Sequence, residues 1–218
     1  MTPPLLNDPI QRLLARLTPS APRAFVALAG LPGSGKSTLA AHLAAEVNAA
    51  MGPDAMVALG MDGFHLPKAA LRRMPDPEAA FARRGAPWTF DAPALVARLR
   101  ELKDADGRAP VGWPGFQHEI GDPVENAVFV GPETRVVLVE GLYLLLPKGG
   151  WEELGPLWDE RWYLDTPLDV ALTRLTDRHR VAWDLTQEEA ERRVDANDRL
   201  NAEIVAGTQG FADWRVSY

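Results

Sequence analysis

The chain has 218 residues, no cysteine and a formal net charge of −7. With 46% hydrophobic and 24% charged residues it suits one folded domain with its own core. The acidic balance disfavours a broad nucleic-acid or anionic-membrane surface, and the lack of cysteine excludes disulfides, thiolate chemistry and cysteine metal sites. No segment nears the roughly 20 apolar residues that cross a bilayer. The N-terminus lacks a signal-peptide pattern, so the cytoplasm is the expected location.

Residues 1–8 are Pro-rich and read as loose, and Pro9 to Leu17 reads as a helix with Ile10, Leu13, Leu14 and Leu17 at helical spacing. Ala24 to Ala29 reads as a short buried strand. Lys36 to Met51 reads as a helix with Leu39, Leu43 and Val47 on one face, ended by Gly52 and Pro53. Met56 to Leu59 is a second strand, which completes a βαβ unit and implies a parallel sheet. Asp91 is placed to cap a helix reaching Lys103, with Leu95, Leu99 and Leu102 buried. Residues 104–134 carry many turn formers and read as irregular. Arg135 to Glu140 and Arg161 to Leu164 are further strands, the first continuously apolar as a central parallel strand should be. Thr166 and Pro167 open a helix, with Asp165 as its expected cap. Thr186 and Glu189 form a capping box for another helix reaching about Val205, and Trp214 to Val216 reads as a last strand. A single α/β domain over 1–218 accounts for this order.

Gly30-Leu31-Pro32-Gly33-Ser34-Gly35-Lys36-Ser37 fits G-x-x-x-x-G-K-[ST] at every fixed position, between a strand and a helix. Glycines let backbone N–H groups converge on phosphate oxygens, and the helix directs its positive end at them. In this motif the lysine, here Lys36, reaches the β- and γ-phosphates, and the serine hydroxyl, here Ser37, binds Mg²⁺. Thr38 stands where a dinucleotide fingerprint needs a glycine. No N-K-x-D run marks a guanine-selective protein.

In a doubly wound sheet, ligands sit outside the carboxyl ends of the strands. Asp62, Glu140 and Asp165 fall there. Phosphoryl transfer to an alcohol needs a proton acceptor and an acid on the metal side. Asp62 is the expected base, aimed by a sharp turn at Gly63 and near enough to share the metal. Glu140, ending an apolar strand, is the expected metal-side acid.

Gly30–Thr38, Met61-Asp62-Gly63-Phe64-His65 and Val136–Gly141 together resemble the phosphoribulokinase/uridine kinase family of P-loop kinases, as does Arg84-Gly-Ala-Pro-Trp-Thr-Phe-Asp91. The resemblance spans about residues 24–206, nearest the pantothenate kinase and bacterial fructose-transport-system-kinase-like branches. It implies a P-loop NTPase fold of three layers, with a mainly parallel central sheet and a helical lid over about 172–190. It also implies ATP, Mg²⁺ and a small-molecule acceptor. No nucleic-acid or membrane partner is expected, and the expected state is a monomer or homodimer.

The nucleotide-binding set is then Gly30 through Thr38 with Arg174, and Arg178 and Arg180 join Lys36 and Asp62 in catalysis. Arg174 and Arg178 lie four apart on one helix face. The acceptor loops are about 62–90 and 111–123. Within them His65, Arg84, Trp113, Phe116 and His118 are the candidate acceptor contacts, with core filling the plain alternative for Trp113 and Phe116. Gly63 and His65 depart from the uridine-kinase version of the aspartate run, and pantothenate kinases are longer. The expected function is therefore transfer of the γ-phosphate to a sugar or polyol-like hydroxyl. Pantothenate or nucleoside kinase is the alternative, and a nucleotide switch or accessory ATPase is the rival of another class.

Overall fold

The computed structural model describes residues 4–17, 21–117 and 119–217, with residues 4–7 by backbone alone. Five parallel strands form the central sheet: β1 (Ala24–Gly30), β2 (Met56–Gly60), β5 (Val136–Gly141), β6 (Glu160–Leu164) and β7 (Trp214–Val216), in the order β2-β5-β1-β6-β7. β1 is buried along its whole length. Its side chains alternate faces: Phe25, Ala27 and Ala29 join one apolar cluster, while Ala24, Val26 and Leu28 join the other. Two clusters on one sheet make three layers, as expected.

The layer behind the sheet holds α1 (Pro4–Leu14) and α2 (Lys36–Met51), through Ile10, Leu13, Leu39, Leu43 and Val47. α1 starts earlier than expected and carries Pro9 inside it. Arg12 and Arg16 tie that end of the chain to Glu160, with Arg12 Nε 2.5 Å from Oε2. The other layer holds α5 (Ala92–Ala105), capped by Asp91 through the Ala94 N–H at 2.9 Å, with Leu95, Leu99 and Leu102 buried.

Residues 104–134 are more regular than their composition suggests. They contain a hairpin of β3 (Val111–Gln117) and β4 (Asp122–Val130), irregular between Trp113 and Gly115. The short helices α3 (Lys68–Leu71) and α4 (Pro77–Ala82) precede it. After β6, α6 (Leu168–Trp183) has no side-chain cap. Asp165 instead pairs with Arg215 at 2.8 Å, so its expected capping role is not what the fold uses. α7 (Gln187–Arg193) starts with the reciprocal Thr186–Glu189 capping box. It runs through a π-turn, Val194–Asp198, into α8 (Arg199–Ala206). Among the described residues no helix is long and apolar enough to cross a membrane.

Candidate active site

The carboxyl ends of β1, β2 and β5 open into one cleft of about 410 Å³. At its floor the loop from Gly30 to Lys36 turns through Gly33 (φ 78°) and Gly35 (φ 96°), a backbone region that side chains disfavour. A Cβ at Gly33 would stand 2.4 Å from the Ala171 carbonyl oxygen, so the loop is seated directly on α6. The first turn of α2 presents the N–H groups of Lys36, Ser37 and Thr38, which precede the first intrahelical donor, Leu39 N–H to the Gly35 carbonyl at 3.0 Å. Such a terminus favours anions.

Lys36 is buried, and its Nζ donates to the Leu31 carbonyl at 2.9 Å. Burial lowers its pKa, Glu140 and Asp62 pull it back up, and Arg178 lowers it again. Lys36 therefore feels both acids and Arg178. The Ser37 hydroxyl donates to Glu140 Oε1 at 2.8 Å. Burial pushes the Glu140 carboxyl above the ordinary glutamate range, with Asp62 adding to the rise and Lys36 and Ser37 opposing it. A carboxylate that is costly to charge in the bare protein is suited to a cation. Ser37, Glu140 and Asp62 offer hard oxygen donors, the chemistry Mg²⁺ prefers. Among the described residues no group of three His, Cys, Asp or Glu side chains could hold a metal alone, so phosphate and water oxygens would complete the shell.

Asp62 lies in the turn Met61–Phe64 after β2. Gly63 lies inside that tight turn, as expected, closed by the His65 N–H donating to the Asp62 carbonyl at 3.1 Å, and it does so without a positive φ. A Cβ there would meet the Pro114 carbonyl oxygen at 2.0 Å. The glycine lets β3 lie against the turn that carries Asp62. Trp113 reinforces this seat. It is 1% exposed, its Nε1 donates to the Gly60 carbonyl at 2.9 Å, and its ring meets Phe64 edge-on at 5.0 Å. It is a core residue supporting the site, and with its ring buried it is not placed to stack on an acceptor as expected.

Arg174 and Arg178 both line the cleft, and Arg174 Nη1 donates to the Ser34 carbonyl at 3.2 Å. Arg180 does not line it. It is exposed with its nearest carboxylate, Asp177, at 3.9 Å, because two residues past Arg178 a helix has turned away from the shared face. The expected pairing of Arg178 with Arg180 is thus replaced by Arg174 with Arg178.

At the other end, His65 lines the cleft and stacks on Phe90 at 3.9 Å, with the Phe116 ring 4.9 Å behind it. Arg84 also lines it, but its terminal nitrogens donate to the carbonyls of Gly121 (2.6 Å) and Leu66 (3.2 Å) and to Asp122 (3.2 Å). It fastens the hairpin turn to the cleft wall. His118 lies outside the described residues. Sequence reasoning missed Gly85, Phe90, Asp198 and Asn201, all of which line the cleft. Phe90 adjoined the Asp91 cap and was legible there. Asp198 and Asn201 carried no motif.

No protein-family model matches the chain. It is 42% identical over 184 residues to a Schizosaccharomyces pombe protein named as a candidate uridine kinase, covering 84% of this chain and 78% of that one. It is 42% identical over 149 residues to the Aspergillus versicolor ATP-dependent kinase-like protein notR', covering 66% of this chain and 86% of that one. Among solved structures, a candidate fructose transport system kinase from a Silicibacter species matches with a TM-score of 0.85 at 36% identity, covering 96% of this chain and 98% of that one.

Proposed function

The chain belongs to the phosphoribulokinase/uridine kinase family of P-loop ATP-dependent kinases, and on that premise we propose that it transfers the γ-phosphate of ATP to a hydroxyl of a sugar or polyol-like metabolite. The observation that carries this reading is that Asp62 shares one cleft with Lys36, Ser37 and Glu140. A nucleotide switch has no need of a carboxylate facing that spot from β2. Sugar chemistry agrees with the printed name of the Silicibacter relative, and a nucleoside acceptor with that of the fission-yeast relative.

In the proposed mechanism, the α2 N-terminus and Lys36 hold the phosphates in line with the acceptor hydroxyl. Asp62 takes the hydroxyl proton as the acceptor oxygen bonds to the γ-phosphorus and the bridge to the β-phosphate breaks. Arg174 and Arg178 balance the charge that builds on the transferring group. Ser37 and Glu140, with Asp62 nearby, would hold Mg²⁺, which supplies charge neutralisation between the phosphates. Residues of about 172–190, from within α6 into α7, are the proposed lid, and the cytoplasm, with its ATP, the proposed location.

Purified protein with ATP, Mg²⁺ and a metabolite panel tests this. ADP production should rise with a hydroxyl-bearing metabolite. Asp62→Asn should keep ATP binding while losing about 10²–10⁴-fold of transfer. Near-normal transfer by Asp62→Asn removes Asp62 from the role, and a panel that never raises ADP above background removes the kinase reading.

A further inference from the structure

Cations and carboxylates both line the cleft, Glu140 among them beside Ser37. Lys36, Arg174 and Arg178 serve the phosphate end. The other end carries the carboxylates Asp62 and Asp198 beside Asn201, His65 and Phe90. Arg84 is the cation beside them; both its terminal nitrogens donate to Gly121, Leu66 and Asp122, while its buried Nε has no partner among the described residues.

Asp198 closes the π-turn Val194–Asp198, where the Arg199 N–H reaches back five residues to the Val194 carbonyl. Such single π-turns often mark functional sites because the extra residue re-aims the side chains around it. This one is docked on the cleft wall: Asn197 Nδ2 donates to the Arg84 carbonyl at 3.0 Å, and Arg83 Nη1 donates to the Asn197 carbonyl at 3.3 Å. His179 Nε2 lies 2.8 Å from Asp198 Oδ2, and since a carboxylate only accepts, the nitrogen carries the hydrogen. His179 is 5% exposed and its ring stacks on Trp183 at 4.5 Å, so it holds Asp198 from a fixed position. Among the described residues no donor meets Asp198 Oδ1. Asn201, three residues on and on the same helix face, accepts from Arg83 through Oδ1 at 3.0 Å, which leaves its amide N–H₂ on the Gly85 side. A fixed acceptor beside a fixed donor is the arrangement that reads a hydroxyl.

We propose that Asp198 and Asn201 bind a second hydroxyl of the acceptor, that His179 is the positioning residue for Asp198, and that the acceptor is an uncharged polyhydroxylated molecule. The proposal rests on the kinase reading above. An acceptor bearing its own carboxylate at Asn201 would set it beside the Asp198 carboxylate, like charge against like. The cleft therefore discriminates against it by like-charge repulsion as well as by lost hydrogen bonds.

The test uses the full chain with ATP, Mg²⁺ and matched neutral and acidic probes: glycerol and D-glycerate, D-ribose and D-ribonate, D-glucose and D-gluconate, with uridine as a further neutral probe. The neutral member of a pair is expected to have a kcat/KM at least about 100-fold above its acid, the low end of a like-charge juxtaposition. Asp198→Asn is expected to raise the acceptor KM about tenfold while kcat and the ATP KM stay within threefold. His179→Phe should raise it similarly, and His179→Gln, which keeps a donor, should largely restore it. Preference for the acids, or an acceptor KM unmoved by Asp198→Asn, overturns the proposal while leaving the kinase reading in place. No turnover with any probe overturns both. A fall in thermal midpoint with an unchanged acceptor KM assigns the His179–Asp198 pair to stability alone.

Discussion

Gly63→Ala tests how the acid at the end of β2 is supported. A methyl group there would stand 2.0 Å from the Pro114 carbonyl oxygen, 2.4 Å from its carbon and 3.0 Å from the Gly115 nitrogen. Ordinary contact begins at 3.4 Å, so the turn and β3 must part by about 1.4 Å. All three atoms are backbone, and no rotamer change relieves them. The separation acts on Trp113, whose bond to the Gly60 carbonyl and edge contact with Phe64 both span the same gap. Overpacking strain of about 1–3 kcal/mol plus about 1 kcal/mol for a weakened buried hydrogen bond gives a loss of about 3 kcal/mol. In a chain of this size that lowers the thermal midpoint by about 6–12 °C. Calorimetry checks the midpoint, and an ATP titration checks the phosphate loop, which the change does not touch and whose affinity should stay within about threefold. A midpoint within about 2 °C of wild type would refute the reasoning, because the hairpin would then not be seated on Gly63.

Lys36→Ala should abolish the stabilisation that ATP confers. For the native chain at a hundredfold excess over Kd this is about 2.7 kcal/mol, and an unchanged ATP-dependent shift in the mutant would contradict the assigned role. Burial alone would raise the Glu160 carboxyl, but bonds from Arg12, Trp162 and Arg16 hold it below the ordinary glutamate value of 4.5. Its stabilisation is therefore complete above that value and is lost as pH falls through the depressed one. Glu160→Gln should cost more stability at pH 7 than at pH 3, as read by urea unfolding at the two values; equal costs would disprove the linkage. Trp183 is half exposed, and Arg193 lies 3.9 Å over its ring. ATP should change tryptophan emission in the wild type and much less in Trp183→Phe; identical responses would rule out movement of the α6 end.

What could be read ahead of the structure was local. The phosphate loop, the Asp91 cap and the Thr186–Glu189 capping box each depend on side chains and backbone within a few residues, so their spacing in the chain is their geometry in space. Leu39, Leu43 and Val47, and the unbroken apolar runs of β1 and β5, were legible because burial follows periodicity. The hairpin was not, because Gly112, Pro114 and Gly115 in β3 and Pro123 in β4 are poor strand formers, held extended by the turn at Gly63 that they pack against. Asp198 and Asn201 were silent for a different reason. Their place in the cleft depends on one extra residue in a helical turn and on partners over a hundred positions away, Arg83 and Arg84. Arg84 itself was legible as a charge near the site, but not as a charge already spent on Gly121, Leu66 and Asp122.

The strand order carries a consequence for the birth of the molecule. β1 pairs Ala24 with Val136 and Val26 with Glu160, so both neighbours of the strand that leads into the phosphate loop are synthesised more than a hundred residues after it. The helix that seats Gly33 comes later still. While the ribosome is still making the first two thirds of the chain, the loop has its full sequence but nothing to hold its shape. Nucleotide therefore has no site on the nascent chain until β5, β6 and α6 have emerged, and its stabilisation arrives only after the all-parallel sheet, a slow topology to assemble, has closed around β1.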